Sequence, residues 1–209
     1  NNCPLEIEWV FLENGQCEEN YNLFQDILLE RKVVVRQKNF GINEIINQGW
    51  AISRGEYCMI HENDWENRLP SFDFLSVSKD IFREKLDVGI IQLRAIYDPC
   101  ENWGLYKPMY NPWSCDKQTL NDVHVFDEKT ITGHKYSLGI GFYGFNNNPI
   151  LARKQLYREC GPYPECIVGS DPRHGETLIQ ENILKTNCAI AHINKEIYYH
   201  VGQTTTKVI

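Results

Sequence analysis

Residues 40–65, FGINEIINQGWAISRGEYCMIHENDW, decide the fold. Apolar residues at Ile45, Ile46, Trp50, Ala51 and Ile52, with polar ones between, predict an amphipathic helix over 43–54 closed by Gly55 as a left-handed C-terminal residue. Residues 56–60 then read as a short buried strand that runs straight into Glu62, Asn63 and Asp64. A helix followed by a strand that ends on acidic residues is an α/β pattern, and in open α/β sheets ligands bind outside the carboxyl ends of the strands. If the chain stays extended, alternation points Glu62 and Asp64 to one side. Two carboxylates so placed suit a hard divalent cation, Mg²⁺ or Mn²⁺, which completes its shell with water and phosphate oxygens.

The flanks extend the pattern. Residues 6–12 (EIEWVFL) and 32–36 (KVVVR) are strand candidates, and 18–30 reads as a helix with Leu23, Ile27 and Leu28 on one face. Strand, helix, strand, helix, strand predicts parallel pairing with right-handed crossovers. Further on, 72–85 reads as a helix, 88–95 as a strand, and 136–145 as a glycine-bearing strand. Asn148-Pro149 is expected to open a helix through Tyr157 with Pro at its first position. Residues 177–185 read as a helix, and 189–193 and 197–201 as the last strands. Between 97 and 113 the composition turns to Pro, Tyr, Trp and Asn, which suits an aromatic loop over a ligand pocket or an aromatic cluster under a long loop.

A chain of 209 residues that is 42% hydrophobic is long enough for one α/β domain around one core. The net charge of −7 and pI near 5.4 argue against nucleic acid as a partner, since such binders carry a basic face. An anionic ligand here needs a metal or a local cationic pocket. No window approaches a membrane span, and NNCPLEIEWVF at the start lacks the features of a signal peptide. The expectation is a soluble, cytoplasmic chain with no transmembrane segment, beginning without Met as a processed chain or part of something longer. Eight scattered cysteines, without a C-x-x-C pair and with Cys58 in a core strand, read as buried thiols rather than a disulfide framework. Nineteen Asn without one glycosylation sequon point away from the secretory lumen as well.

These residues resemble the GT-A type nucleotide-sugar glycosyltransferases. Glu13-Asn14-Gly15 after a strand looks like the family's acidic turn at the nucleotide base. Asn39-x-Gly41, Asn47-x-Gly49 and Ala51-x-x-x-Gly55-Glu56-Tyr57 are similar to the run before its metal motif, and Glu62-Asn63-Asp64 stands where the family has D-x-D. His200-Val201-Gly202 looks like the H-x-G that supplies a further metal ligand. The resemblance implies a single Rossmann-like GT-A domain over 1–209 with a mostly parallel central sheet flanked by helices, and a Mn²⁺ or Mg²⁺ cofactor. It implies a uridine diphosphate sugar as donor and a glycan or protein-linked acceptor.

Asp64 and His200 are then the direct metal ligands. Glu62 stands where the family has Asp, and reaches the metal through water. Glu13, Asn14, Arg36, Asn39, Asn47 and Asn63 fall on the nucleotide side, with Arg153 and Lys207 as cations beside the diphosphate. The family opens with a strand and helix before its acidic turn, and this chain begins almost at that turn. The chemistry fits the residue types, because a departing nucleoside diphosphate gains negative charge and a carboxylate is needed at the acceptor hydroxyl or the anomeric carbon. The loop 169–176 offers two, Glu176 first and Asp171 second. Two rival readings are a sugar-phosphate nucleotidyltransferase, which usually shows a Gly-rich basic loop not visible here, and a carbohydrate-binding module using Trp103, Tyr106, Tyr110 and Trp113.

Overall fold

The computed structural model describes residues 6–39, 41–63, 65–93, 124–139, 149–164, 179, 181–183, 185–186, 188–193, 195 and 197–200, with backbone alone at 124–129, 137, 139 and 200. Within these the order is β1 (Trp9–Asn14), α1 (Glu18–Asp26), β2 (Lys32–Gln37), α2 (Ile42–Ile52), β3 (Tyr57–Ile60), β4 (Trp65–Asn67), α3 (Phe74–Glu84), β5 (Val88–Gln92), β6 (His124–Lys129), β7 (Lys135–Gly139), β8 (Ile150–Arg153), α4 (Lys154–Cys160), β9 (Ala189–Ile193) and β10 (Tyr198–His200). Residues 179 and 181–183 are helical as well.

The chain is α/β, but its sheet is mixed where a mostly parallel one was expected. β1 and β2 pair in parallel as predicted, with Asn14 opposite Gln37. The larger sheet has six strands in the order β3-β8-β5-β9-β7-β6. Its β5–β9 pair is parallel, whereas β3–β8, β5–β8, β7–β9 and β6–β7 are antiparallel. β4 and β10 form a separate antiparallel ribbon.

Part of the difference comes from β8. Pro149 was expected to open a helix, yet Ile150, Leu151 and Ala152 are buried on both faces between β3 and β5, and the helix starts only at Lys154. A three-residue apolar run has no polar face to offer solvent, so a strand flanked on both sides satisfies it better than a surface helix.

Two apolar layers cover the two faces of this sheet. On one, Cys58, Ile60, Ile90, Ile150, Ala152 and Ile190 meet Ile45, Ile46 and Trp50 of α2 and Leu156 of α4. On the other, Tyr57, Met59, Ile91, Leu93, Leu151, Ala191 and Ile193 meet Val77, Ile81 and Phe82 of α3. Each fully buried Ile or Phe of these layers contributes about 1.5–3 kcal/mol from burial. α2 also reaches β1: a Cβ on Gly49 would stand 2.9 Å from Leu12 Cδ1, so a larger residue there would have to push the end of that side chain aside. Leu12 thereby joins the same core as β3. The predicted C-terminal role of Gly55 is not used; α2 ends at Ser53, whose amide donates to Gly49 O. Among the described residues no helix is long and apolar enough to cross a membrane. Of the cysteines described, Cys17, Cys58, Cys160 and Cys188 are free thiols.

Candidate functional site

β1 and β2 point their carboxyl ends to one edge. β1 and β2 are parallel and in register, and the starts of β1 and β3 are tied together by Glu8, whose carboxylate accepts the Arg54 amide (2.8 Å) and its Nε (2.7 Å). Glu13-Asn14 and Asn39 thus lie at the carboxyl ends of β1 and β2, and Glu62-Asn63 at that of β3, in two sheets that share the apolar layer under α2.

The first group is an amide network. Asn14 Nδ2 donates to Gly41 O (3.2 Å) and Asn39 Oδ1 (3.4 Å), Asn14 Oδ1 accepts from Gln37 Nε2 (3.2 Å), and Asn39 Oδ1 accepts the Gly41 amide (3.0 Å). Gly41, at φ 92°, is the N-cap of α2 and has no side chain of its own to cap it. The helix thus presents its amide end at this edge, a setting that favours negative charge. Glu13 is buried and folded back on α1, accepting the Cys17 amide (3.2 Å) and Asn20 Nδ2 (3.1 Å). Arg36 lies over the Tyr21 ring at 5.6 Å and donates to Gln16 O (2.7 Å), closing the turn after β1.

The acidic segment departs from its predicted shape. The Trp65 amide donates to Glu62 O (3.4 Å), so the chain turns at 62–65 instead of running extended. Glu62 is half-buried and Asn63 exposed; Asp64 lies outside the described residues. Beyond the turn, β4 pairs with β10, a contact that sequence reasoning missed because WEN and YYH are too short to show a period. The pairing sets His200 opposite Trp65, the residue that follows Asp64 in the chain. The ribbon is anchored by buried Trp65 and Tyr198, the latter edge-on to His61 at 5.0 Å. Burial pushes the Tyr198 hydroxyl up from its ordinary pKa, with Asn67 opposing.

Two of the sequence-chosen residues lie elsewhere. Asn47, on α2, donates to Tyr163 O (2.9 Å) and accepts the Tyr163 amide (2.7 Å), while Asn43 donates to Pro164 O (2.7 Å). One turn of helix thus clamps segment 163–164 by its main chain. Arg153 pairs with Tyr57, at the opening of β3, so it lies at the opposite edge from Glu62. Its guanidinium donates to Val88 O (2.8 Å) and to Phe82 O and covers the Phe82 ring at 4.7 Å, which accounts for its position without a ligand. Asp171, Glu176, Lys207 and the aromatic loop 97–113 fall outside the described residues.

Sequence reasoning also passed over Gln92 and His192. Both are fully buried and stand opposite one another at the carboxyl ends of β5 and β9. The available signal was a lone polar residue at the end of one apolar strand, VGIIQ, and next to the end of another, AIAHI. Among the described residues no three His, Cys, Asp or Glu side chains gather as a metal cluster; neither Asp64 nor the His200 side chain is among them. No family model matches the chain, and no curated protein is similar to it.

Proposed function

We propose that the chain is a metal-dependent glycosyltransferase that moves a sugar from a nucleoside diphosphate, uridine diphosphate first, to a glycan or protein-linked acceptor. Two observations support this reading: the Asn14–Asn39 amide network at the amide end of α2, and the β4–β10 pairing that sets His200 opposite Trp65, just past the turn at Glu62. Amide side chains recognise the edge of a base, and a helix N-terminus suits a phosphate.

Oxygen and imidazole donors suit Mn²⁺ or Mg²⁺. Asp64 and His200 hold the ion in this proposal, with Glu62 behind a water. When bound, a divalent cation offsets the charge that grows on the departing diphosphate. Lys207 adds positive charge there, and Glu176, or Asp171 in its place, supplies the carboxylate at the reacting carbon or the acceptor hydroxyl. Arg153 has no part in this site, because its guanidinium is engaged at the far edge of the sheet.

The test is calorimetry with UDP in the presence of Mn²⁺ and in EDTA. With a net charge of −7 the chain has few other means of offsetting a diphosphate, so tight binding is expected with the metal alone. Equal affinity in EDTA sinks the metal-dependent reading.

A further inference from the structure

The apolar layer under α2 is not filled completely. Between α2, α4 and the sheet lies a cavity of about 20 Å³, walled by Trp50, Tyr157, Cys160, Ala152 and, for the rest, Tyr163 and isoleucine and leucine side chains. One water needs roughly 10–15 Å³ on the same measure, so the space holds more than a packing flaw between side chains. Trp50 stands roughly two and a half turns along α2 from Gly41, well away from the amide end where Asn14 and Asn39 collect.

The polar groups in the wall narrow what fits. The Tyr157 hydroxyl donates to Asn47 Oδ1 (3.4 Å). Burial, with the Cys188 thiol beside it, pushes the Cys160 thiol up to about 12, so it stays a neutral, weak donor. Trp50 Nε1 is different: it is buried and meets no acceptor among the described residues. An indole N–H only donates, and buried ones usually find a partner. No Asp, Glu, Lys or Arg is among the described residues of the wall, so a charged occupant would stay uncompensated. A water suits such apolar walls poorly, since buried waters keep roughly two to four polar partners.

The wall also has one side that reaches the surface. Trp50, Ala152 and Cys160 are buried, whereas Tyr157 is half-buried and lies flat on the Trp50 indole, with ring centroids 5.1 Å apart and planes 2° from parallel. Rotation of this one ring connects the cavity with solvent.

We infer that the cavity is a binding site for a small uncharged carbonyl compound, a ketone, aldehyde or ester, whose oxygen accepts from Trp50 Nε1 while its methyl or methylene groups fill the apolar space. Tyr157 is the ring that admits it.

Acetone is the probe, with xenon as a filler of apolar space that accepts no hydrogen bond. In protein carrying ¹⁵N-indole and methyl-labelled isoleucine, Trp50→Phe identifies the Trp50 signal among the five tryptophans, and the Ile90 methyl reports occupancy. Acetone should move the Trp50 indole proton downfield to a plateau, whereas exposed Trp9 drifts in proportion to concentration. Trp50→Phe should weaken acetone several-fold and leave xenon no weaker, because the ring stays and the donor goes. Ala152→Val, which adds methyl groups to the wall, should weaken both probes. Absence of a plateau at Trp50, an equal loss of acetone and xenon in Trp50→Phe, or a long-lived water on the Trp50 indole that acetone does not displace overturns the inference. The acetone titration of the native protein decides the matter even where a variant fails to fold. None of these readings involves nucleotide or metal, so the glycosyltransferase proposal stands or falls separately.

Discussion

A side chain's hydrogen bonds separate structural from chemical roles among residues that look alike in sequence. Asn14 and Asn47 are both Asn before a Gly-containing segment, and the family resemblance puts both near the nucleotide. The structure gives Asn14 to the carboxyl edge and commits Asn47 to the main chain of Tyr163 in both directions. Asn47→Ala strands a half-buried amide and carbonyl, so a loss of about 2 kcal/mol is expected, read as a lower urea midpoint at unchanged slope. Asp64→Asn has the opposite profile: on the proposed function the fold is kept and turnover falls on the order of 10²- to 10³-fold. Steady-state kinetics on the folded variant check it, and full activity takes Asp64 out of the site. The difference between the two Asn residues was not legible in sequence, because Tyr163 lies 116 positions from Asn47 and no local pattern records such a pairing.

At the scale of elements, what the sequence shows is periodicity, and what it hides is whether a partner face exists. α2 and α3 were legible because their apolar stripes are matched by strands; Ile81 and Phe82 are buried almost completely. α1 was expected to run to residue 30 on the strength of Leu23, Ile27 and Leu28, but it stops at Asp26. That stripe is covered little: α1 has no buried residue, Leu23 is 59% and Leu28 95% exposed, and only Ile27 is half-buried, so the last turn gains little packing.

α3, in contrast, carries a cap. Asp73 accepts the Ser76 amide (3.1 Å) and its hydroxyl (2.6 Å), and these bonds, the hydroxyl first, hold its carboxyl below the ordinary aspartate range. Asp73→Ala should cost about 1 kcal/mol at neutral pH. Because the folded-state pKa is lowered, this stability is present above the unfolded value near 3.9 and is lost as pH falls through the folded one. Urea titrations of both proteins should show the gap constant from pH 5 to 8 and closing below about pH 4.

Over the whole molecule, the two ends of the strands carry different groups. At the carboxyl ends of β1, β2, β3, β5 and β9 polar side chains collect: Asn14, Asn39, Glu62, Gln92 and His192. At the other end the Glu8–Arg54 pair and Arg153 fasten strand starts and helix ends. The sequence could place Arg153 after Pro149 but not at an edge, since that depended on β8 running antiparallel to β3. Once β8 is a strand, its last residue stands beside the first residue of β3, a strand's length from Glu62.

Arg153→Met tests this division. Methionine keeps a flexible apolar stem near Phe82 and Tyr57 but leaves the carbonyls of Phe82 and Val88 without the guanidinium. A loss of about 1–3 kcal/mol in stability is expected, with the donor KM and the Mn²⁺ dependence of turnover unchanged. A donor KM that rises while the urea midpoint stays in place would return Arg153 to the ligand edge and require β8 to run differently.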